Sequence, residues 1–100
     1  MSQEQYAVKE RSRTRTQEPR KYKVIFHNDD FTTMEFVIEV LRTVFYKDAV
    51  SAHAIMMDVH KKGKGIVGIY SFDLAVTKRN RAVEMAREEG FPLKITVEEA

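Results

Sequence analysis

The chain has 100 residues, of which 43% are hydrophobic and 32% charged, and its formal net charge is +2. This length supports one modest hydrophobic core rather than two independent domains. No apolar run approaches the roughly 20 residues that a membrane-spanning helix needs, and the absence of cysteine excludes a disulfide framework and a thiol nucleophile. Because the first residues also lack the apolar core of a signal peptide, we expect a soluble, cytoplasmic protein.

The charge is unevenly distributed along the chain. Residues 1–23 carry seven Lys or Arg against three Glu, whereas residues 24–100 carry ten basic and twelve acidic residues. Residues 1–20 also lack apolar periodicity, so burial cannot offset the entropy of ordering them. The sequence predicts a flexible basic tail over residues 1–20 and a folded domain over residues 21–100. A basic tail leaves nucleic-acid binding open as an alternative function.

The first predicted element is a strand over residues 22–27. Tyr22, Val24 and Phe26 alternate with other side chains and therefore share one face, which is typical of a half-buried strand. Residues 28–30 then form a predicted turn.

A first helix is predicted after this turn. Thr32 and Glu35 have the spacing of a capping box, in which the two side chains satisfy amide donors at a helix start. The helix is therefore expected to begin at Thr33 or Met34, and its apolar periodicity runs to about Tyr46.

A second helix and a second strand follow. Asp48 is suited to cap the start of the helix and Gly63 its end. The short apolar run over residues 65–70 predicts the strand, in which Gly68 marks a bulge or a close approach of the backbone.

A third helix is predicted to begin at Ser71 or Asp73 and to stop at Gly90. Its apolar side consists of Leu74, Ala75, Ala82, Met85 and Ala86. Alternation then predicts a third strand, with apolar positions Leu93, Ile95 and Val97. The element order is β-α-α-β-α-β. The simplest architecture is an α+β two-layer domain in which three helices pack on one face of a small, mainly antiparallel three-stranded sheet.

Three polar acceptors, Asn28, Asp29 and Asp30, stand between the first strand and the first helix. They are consistent with a plain turn whose carboxylates favour a helix N-terminus, or with a site for a cation. Asp29 and Asp30 could form a metal site with His27 and His60, and a metal-dependent hydrolase stays open as an alternative. No pair has a diagnostic metal-ligand spacing, however, and no nucleophile motif or phosphate loop is present. No cofactor is predicted.

A wider pattern surrounds these acceptors. Asn28-Asp29-Asp30-x-Thr32-x-Met34-Glu35-Phe36-Val37, followed by Met56-x-x-Val59-His60 and Gly63, resembles the ClpS family, the bacterial adaptors of the Clp ATP-dependent protease. The resemblance covers residues 22–100. It implies a binding module that is not an enzyme. Members capture the free α-amino group and large hydrophobic side chain of an N-terminal Leu, Phe, Tyr or Trp and hand the substrate to the ClpA unfoldase.

The resemblance also implies roles for individual positions. Asn28, Asp29 and His60 would contact the α-amino group of the substrate, while Asp30 and Thr32 would shape the rim of the pocket. The hydrophobic pocket would consist of Met34, Val37, Met56, Val59 and Leu93. In the family, the position of Met34 acts as a gate against β-branched side chains.

The implied partners are the N-terminal domain of ClpA and proteins with hydrophobic N-terminal residues, with neither nucleic acid nor membrane involved. The surface that contacts ClpA would include Asp73 and Lys78. Two positions depart from the usual family pattern, since Thr33 stands where Pro is frequent and His27 where an aliphatic residue is common.

The residue chemistry favours the same site without the resemblance. An α-ammonium group offers three donors, and Asn28 Oδ1, the Asp29 carboxylate and a neutral His60 nitrogen are suitable acceptors. Protonation of this imidazole would remove one acceptor, so binding is predicted to weaken in acid.

Overall fold

The computed structural model describes residues 19–100, so all but the last two residues of the predicted tail lie outside the described part. The elements, in chain order, are β1 (Lys21–His27), α1 (Met34–Thr43), α2 (Ala49–Lys62), β2 (Lys64–Ser71), α3 (Phe72–Glu89) and β3 (Lys94–Glu99). This order and the three-stranded antiparallel sheet confirm the predicted α+β architecture.

β1 is the central strand of the sheet, whose order is β2-β1-β3, and it pairs antiparallel with both neighbours. Between β1 and β2, Val24 lies opposite Gly68 and the next residue of β1 lies opposite Ile66. Val67 is therefore the extra residue of a β-bulge, which confirms the irregularity predicted at Gly68.

The hydrophobic core lies on one face of the sheet. Val24 and Phe26 of β1 are fully buried there and belong to the same cluster as Val40 and Leu41 of α1. Ile25 is also buried but does not belong to this cluster, in keeping with its place on the opposite face of β1.

α3 contributes small side chains to the core. Ala75, Ala82 and Ala86 are buried, and their short side chains let the helix lie close to the sheet. Leu74, predicted on the same apolar side, is instead 52% exposed. The physical reason is helical geometry, since Leu74 is turned by about 100° from Ala75.

The N-terminus of α1 is capped by Thr33 and not by Thr32. Thr33 Oγ1 accepts a hydrogen bond of 3.1 Å from the Phe36 amide. The predicted capping box at Thr32 was therefore wrong, because the Thr32 hydroxyl donates to Asp29 Oδ2 over 2.7 Å. The predicted helix start at Thr33 or Met34 is confirmed.

The end of α1 differs slightly from the prediction. The helix stops at Thr43 rather than near Tyr46, and Tyr46 has a positive φ of 56°, which a right-handed helix does not allow. The Lys47 amide donates to the Leu41 carbonyl over 3.0 Å and secures the turn that leaves the helix.

The predicted caps of α2 and α3 are confirmed. Asp48 accepts a hydrogen bond of 2.7 Å from the Ser51 amide at the start of α2. Ser71 is the N-cap of α3, and Gly63 and Gly90 are the C-caps of α2 and α3, with φ of 90° and 78°. These left-handed conformations carry no Cβ penalty in glycine. None of the helices in residues 19–100 is long and apolar enough to cross a membrane.

Candidate functional site

A cavity of about 590 Å³ opens at the end of β1, bordered by the loop before α1 and by the facing sides of α1 and α2. Its polar lining comes from loop residues 28–30, 32 and 33, from Glu35 and from His60, and Phe31 of the same loop adds an aromatic side chain. Its apolar lining comes from Met34, Val37, Met56 and Val59. The cavity therefore joins hydrogen-bond acceptors to a hydrophobic pocket.

A backbone hydrogen bond ties the two polar parts of this site together. The Asn28 amide, just beyond β1, donates to the carbonyl of Gly63 over 2.9 Å. Gly63 is the C-cap of α2, one turn after His60. Because of this bond, Asn28 and His60 line the same cavity although they are far apart in the sequence.

Asp29 is the most constrained acceptor of the loop. Its Oδ1 accepts from the amides of Phe31 and Thr32 at 2.8 and 2.7 Å, and its Oδ2 accepts from the Thr32 hydroxyl at 2.7 Å. Partial burial raises the pKa of Asp29, but the hydrogen bonds from Thr32 and Phe31 outweigh it and hold the pKa below its ordinary value. A fixed negative charge thus lies at the cavity at neutral pH.

Four of the five residues predicted for the hydrophobic pocket line the cavity. Val37, Met56 and Val59 line the cavity and are otherwise buried, while Met34 is 42% exposed. Leu93 is buried in the core and is not among the lining residues, so its place in the pocket stays a prediction.

The sequence interpretation missed three lining residues, Phe31, Thr33 and Glu35. Phe31 is 73% exposed although it is a large apolar side chain. The sequence contained a signal for an exposed Phe31, since it stands in a polar turn between acidic residues and a helix cap. An aromatic side chain in such a turn is not expected to pack in the core, so its exposure indicates a binding surface.

Gly65 sets the distance between β2 and α2. A Cβ at this position would lie 3.0 Å from Val59 Cγ2 and 3.2 Å from the Ile55 carbonyl oxygen. A side chain at this position would therefore require these atoms of α2 to give way by a few tenths of an ångström. Because Met56, Val59 and His60 are on α2, this close approach positions one whole side of the cavity.

His27 does not line the cavity, although it directly precedes Asn28. Its Nε2 lies 2.8 Å from Thr96 Oγ1 on β3. Burial, then the positive charges of Lys94 and Lys64, lower the pKa of His27, against a smaller opposing effect of Glu98. Within residues 19–100 the structure brings no three His, Asp or Glu side chains together in an arrangement that could hold a metal ion.

The lowered pKa of His27 predicts a stability that depends on pH. The unfolded chain binds a proton at this residue near pH 6.5, whereas the folded chain binds it only at lower pH. The stabilisation is therefore present above about pH 6.5 and is lost as pH falls through the folded pKa. Urea unfolding between pH 7.5 and 5 is expected to show a falling free energy of unfolding, with a smaller slope in His27→Gln.

The control for this experiment is His53→Gln, a change at an exposed histidine of α2 that lies outside the sheet. If His53→Gln flattened the pH profile as much as His27→Gln, the explanation by the sheet environment of His27 would be contradicted.

The residues predicted to contact an unfoldase lie on α3. Asp73 is exposed in its first turn. Lys78 is partly buried, and its Nζ donates to the Val44 carbonyl over 3.0 Å and lies 4.7 Å from the centre of the Tyr46 ring. Tyr46 is 79% exposed, so this lysine borders an accessible aromatic surface.

Comparison with known proteins identifies the class of protein to which this fold and cavity belong. A family model described as "ATP-dependent Clp protease adaptor protein ClpS" matches residues 17–96. The class of protein is thus a protease adaptor, which acts with a protease and is not itself an enzyme. The chain belongs to the ClpS family.

Individual relatives match over almost the whole chain. The ATP-dependent Clp protease adapter protein ClpS of Desulforapulum autotrophicum is 46% identical over 102 residues, which cover 98% of each chain. The protein of the same name from Acetivibrio thermocellus is 48% identical over 95 residues, covering 95% of this chain and 96% of the relative.

A solved structure also resembles this one. Agrobacterium tumefaciens ClpS2 bound to L-phenylalaninamide superimposes with a TM-score of 0.80 at 38% sequence identity. The match covers 83% of this chain and all of the Agrobacterium chain.

Proposed function

We propose that this adaptor binds the free N-terminal residue of substrate proteins in the cytoplasm when that residue is Leu, Phe, Tyr or Trp, and delivers the substrate to the ClpA unfoldase of the ClpAP protease. The observation that carries the proposal is the cavity itself, in which polar acceptors adjoin buried apolar side chains. The Agrobacterium relative is bound to L-phenylalaninamide, a molecule with a free α-amino group and a benzyl side chain.

The polar part of the cavity suits an ammonium group. Asn28, Asp29 and His60 offer an amide oxygen, a carboxylate and an imidazole nitrogen, and all three line the cavity. Oδ1 of Asp29 accepts two loop hydrogen bonds, whereas Oδ2 accepts one and keeps a free lone pair. Each charge-assisted hydrogen bond to the ammonium would contribute about 1.5–3 kcal/mol. Asp30 and Thr32 line the same cavity and would shape its rim.

The apolar part suits a large side chain. Burying a Leu or Phe side chain against Val37, Met56 and Val59 would contribute roughly 1.5–3 kcal/mol. Met34 is half exposed at the start of α1, where its flexible thioether can adapt to aliphatic and aromatic guests. In a substrate N-terminal residue that is branched at Cβ, the extra methyl group lies next to the residue's own backbone. A gate at Met34 would exclude this methyl group.

The test is a binding series with peptides that differ only in their first residue. Peptides beginning with Leu or Phe are expected to bind at least about tenfold more tightly than those beginning with Val or Ala, because they bury more apolar surface. N-acetylation is expected to abolish binding, since it removes the charge and two donors. Equal affinity across the set, or tight binding of the acetylated peptides, would end the proposal.

Delivery requires a second surface, for which we propose the start of α3. Asp73→Ala and Lys78→Ala are expected to leave peptide affinity unchanged but to slow degradation of a Leu-initiated substrate by ClpAP about tenfold, as loss of an interface hot spot would. Glu88→Ala, an exposed change near the other end of α3, is the matched control. A loss of peptide binding in Asp73→Ala, or normal degradation with both variants, would contradict this assignment.

A further inference from the structure

All sulfur atoms of this protein are thioethers, since the chain has no cysteine. Residues 19–100 contain four methionines, Met34, Met56, Met57 and Met85. Met56 is buried in the hydrophobic core, and Met57 and Met85 pack against that core. Met34 belongs to neither group and is 42% exposed. An oxidant in solution therefore reaches Met34 more readily than the other three.

The exposed methionine is also one of the residues that form the candidate functional site. Met34 begins α1 directly after the capping residue Thr33, and it lines the cavity together with the buried Met56. Met57 and Met85 are not among the lining residues. A chemical change confined to Met34 would thus alter the wall of the cavity and leave the core as it is.

Oxidation would change this part of the wall from apolar to polar. A thioether is a flexible apolar group, whereas the sulfoxide carries an oxygen that accepts hydrogen bonds. Inside the cavity the side chains of Val37, Met56 and Val59 offer no donor to that oxygen, so its burial there is unfavourable. The oxidised side chain would instead turn towards water, which its partial exposure allows. Either arrangement removes apolar contact from a side chain bound in the cavity.

On this basis we propose that Met34 is a site of reversible oxidation by peroxide, and that its sulfoxide weakens the binding of substrates with a large hydrophobic N-terminal residue. The inference rests on the proposed function, since it takes the side chain of that residue to lie against Met34.

The charges of the cavity favour an uncharged oxidant. Asp29, Asp30 and Glu35 line the cavity and would repel an anion, but they do not repel hydrogen peroxide. In the reaction the O–O bond of the peroxide breaks, one oxygen atom forms a bond to the Met34 sulfur, and water is released. The sulfur loses two electrons and the peroxide gains them. A methionine sulfoxide reductase reverses the change with a dithiol, which becomes a disulfide as the oxygen leaves as water.

The experiment treats the full chain with hydrogen peroxide and measures sulfoxide at each methionine by mass spectrometry of proteolytic peptides. Met34 is expected to react before Met56, Met57 and Met85. Titration with a Leu-initiated peptide is then expected to show about fivefold weaker binding, as loss of about half of the apolar contact of a methionine would cause. Methionine sulfoxide reductases A and B with dithiothreitol are expected to restore the affinity, because each enzyme reduces one epimer of the sulfoxide.

Two variants identify the sulfur that is responsible. The affinity of Met34→Leu, whatever its starting value, is expected to be the same before and after peroxide. Met57→Leu is the matched control, the same replacement outside the cavity, and is expected to respond to peroxide as the wild-type chain does. Earlier reaction of Met56, unchanged affinity once Met34 is oxidised, or a loss of affinity in peroxide-treated Met34→Leu would overturn the inference. Failure of the untreated chain to bind the peptide would instead overturn the proposed function and the inference with it.

Discussion

Replacing Asp29 by alanine is expected to weaken binding of a Leu-initiated peptide by about 10-fold to 150-fold. The carboxylate is held ionised by three hydrogen bonds at the cavity, and loss of one charge-assisted bond to the ammonium corresponds to roughly 1.5–3 kcal/mol. Isothermal titration of a Leu-initiated peptide against the wild-type chain and the variant measures the difference.

Two further variants separate the charge of Asp29 from its structural role. Asp29→Asn keeps an oxygen that can accept from the loop amides of Phe31 and Thr32, so the loop is expected to persist while affinity falls by most of the same factor. Asp48→Ala is the matched control. Asp48 likewise accepts a backbone hydrogen bond at a helix start and has a lowered pKa, but it lies outside the cavity.

The two outcomes for these controls are distinct. Asp48→Ala is expected to lower the free energy of unfolding through loss of the cap, with little change in peptide affinity. Full affinity in Asp29→Asn would show that the negative charge is not used to hold the amine, and the assignment of Asp29 would fail.

Gly65→Ala is expected to have the second large effect, a loss of about 1–3 kcal/mol in the free energy of unfolding together with weaker peptide binding. The added Cβ would lie 3.0 Å from Val59 Cγ2, so the Val59 side chain must shift by a few tenths of an ångström. Since Val59 lines the cavity, the displacement would reach the binding site. Urea unfolding and peptide titration on the same sample would measure both effects.

A double-mutant cycle tests the cause. Val59→Ala removes the methyl group that the new Cβ would meet, so Gly65→Ala is expected to cost less in the Val59→Ala background than in the wild-type chain. Gly63→Ala is the control, because its cost comes from the positive φ and nothing lies within 4 Å of its added Cβ. Additive losses for Val59→Ala and Gly65→Ala would contradict a clash with the Val59 side chain.

The local features of the fold were predictable from the sequence. Asp48, Gly63 and Gly90 cap their helices as predicted, because a cap depends on a side chain or a dihedral angle within a few residues of the helix end. The strand β1 was also predictable from the alternation of its apolar residues, and the irregularity near Gly68 from a glycine inside a strand.

The choice between neighbouring residues that suit the same role was less predictable. Thr32 and Thr33 are equally suitable caps in the sequence, and the choice between them depends on Asp29, whose carboxylate takes the hydroxyl of Thr32. Leu74 has the periodicity of a core residue, but the face of α3 that carries the buried alanines packs on the sheet. Leu74 lies outside that face and is exposed. Helical spacing identifies neighbours on a face without showing which face the sheet covers.

The sequence by itself determined the order of the elements, the caps of α2 and α3 and the set of acceptors around Asn28, because each depends on residues close together along the chain. Only the tertiary structure decided that Asn28 and His60 line one cavity, through the hydrogen bond to Gly63, and that His27 pairs with Lys64 and Lys94 across the sheet. Both arrangements depend on the register and contacts of distant strands and helices, which no local spacing specifies.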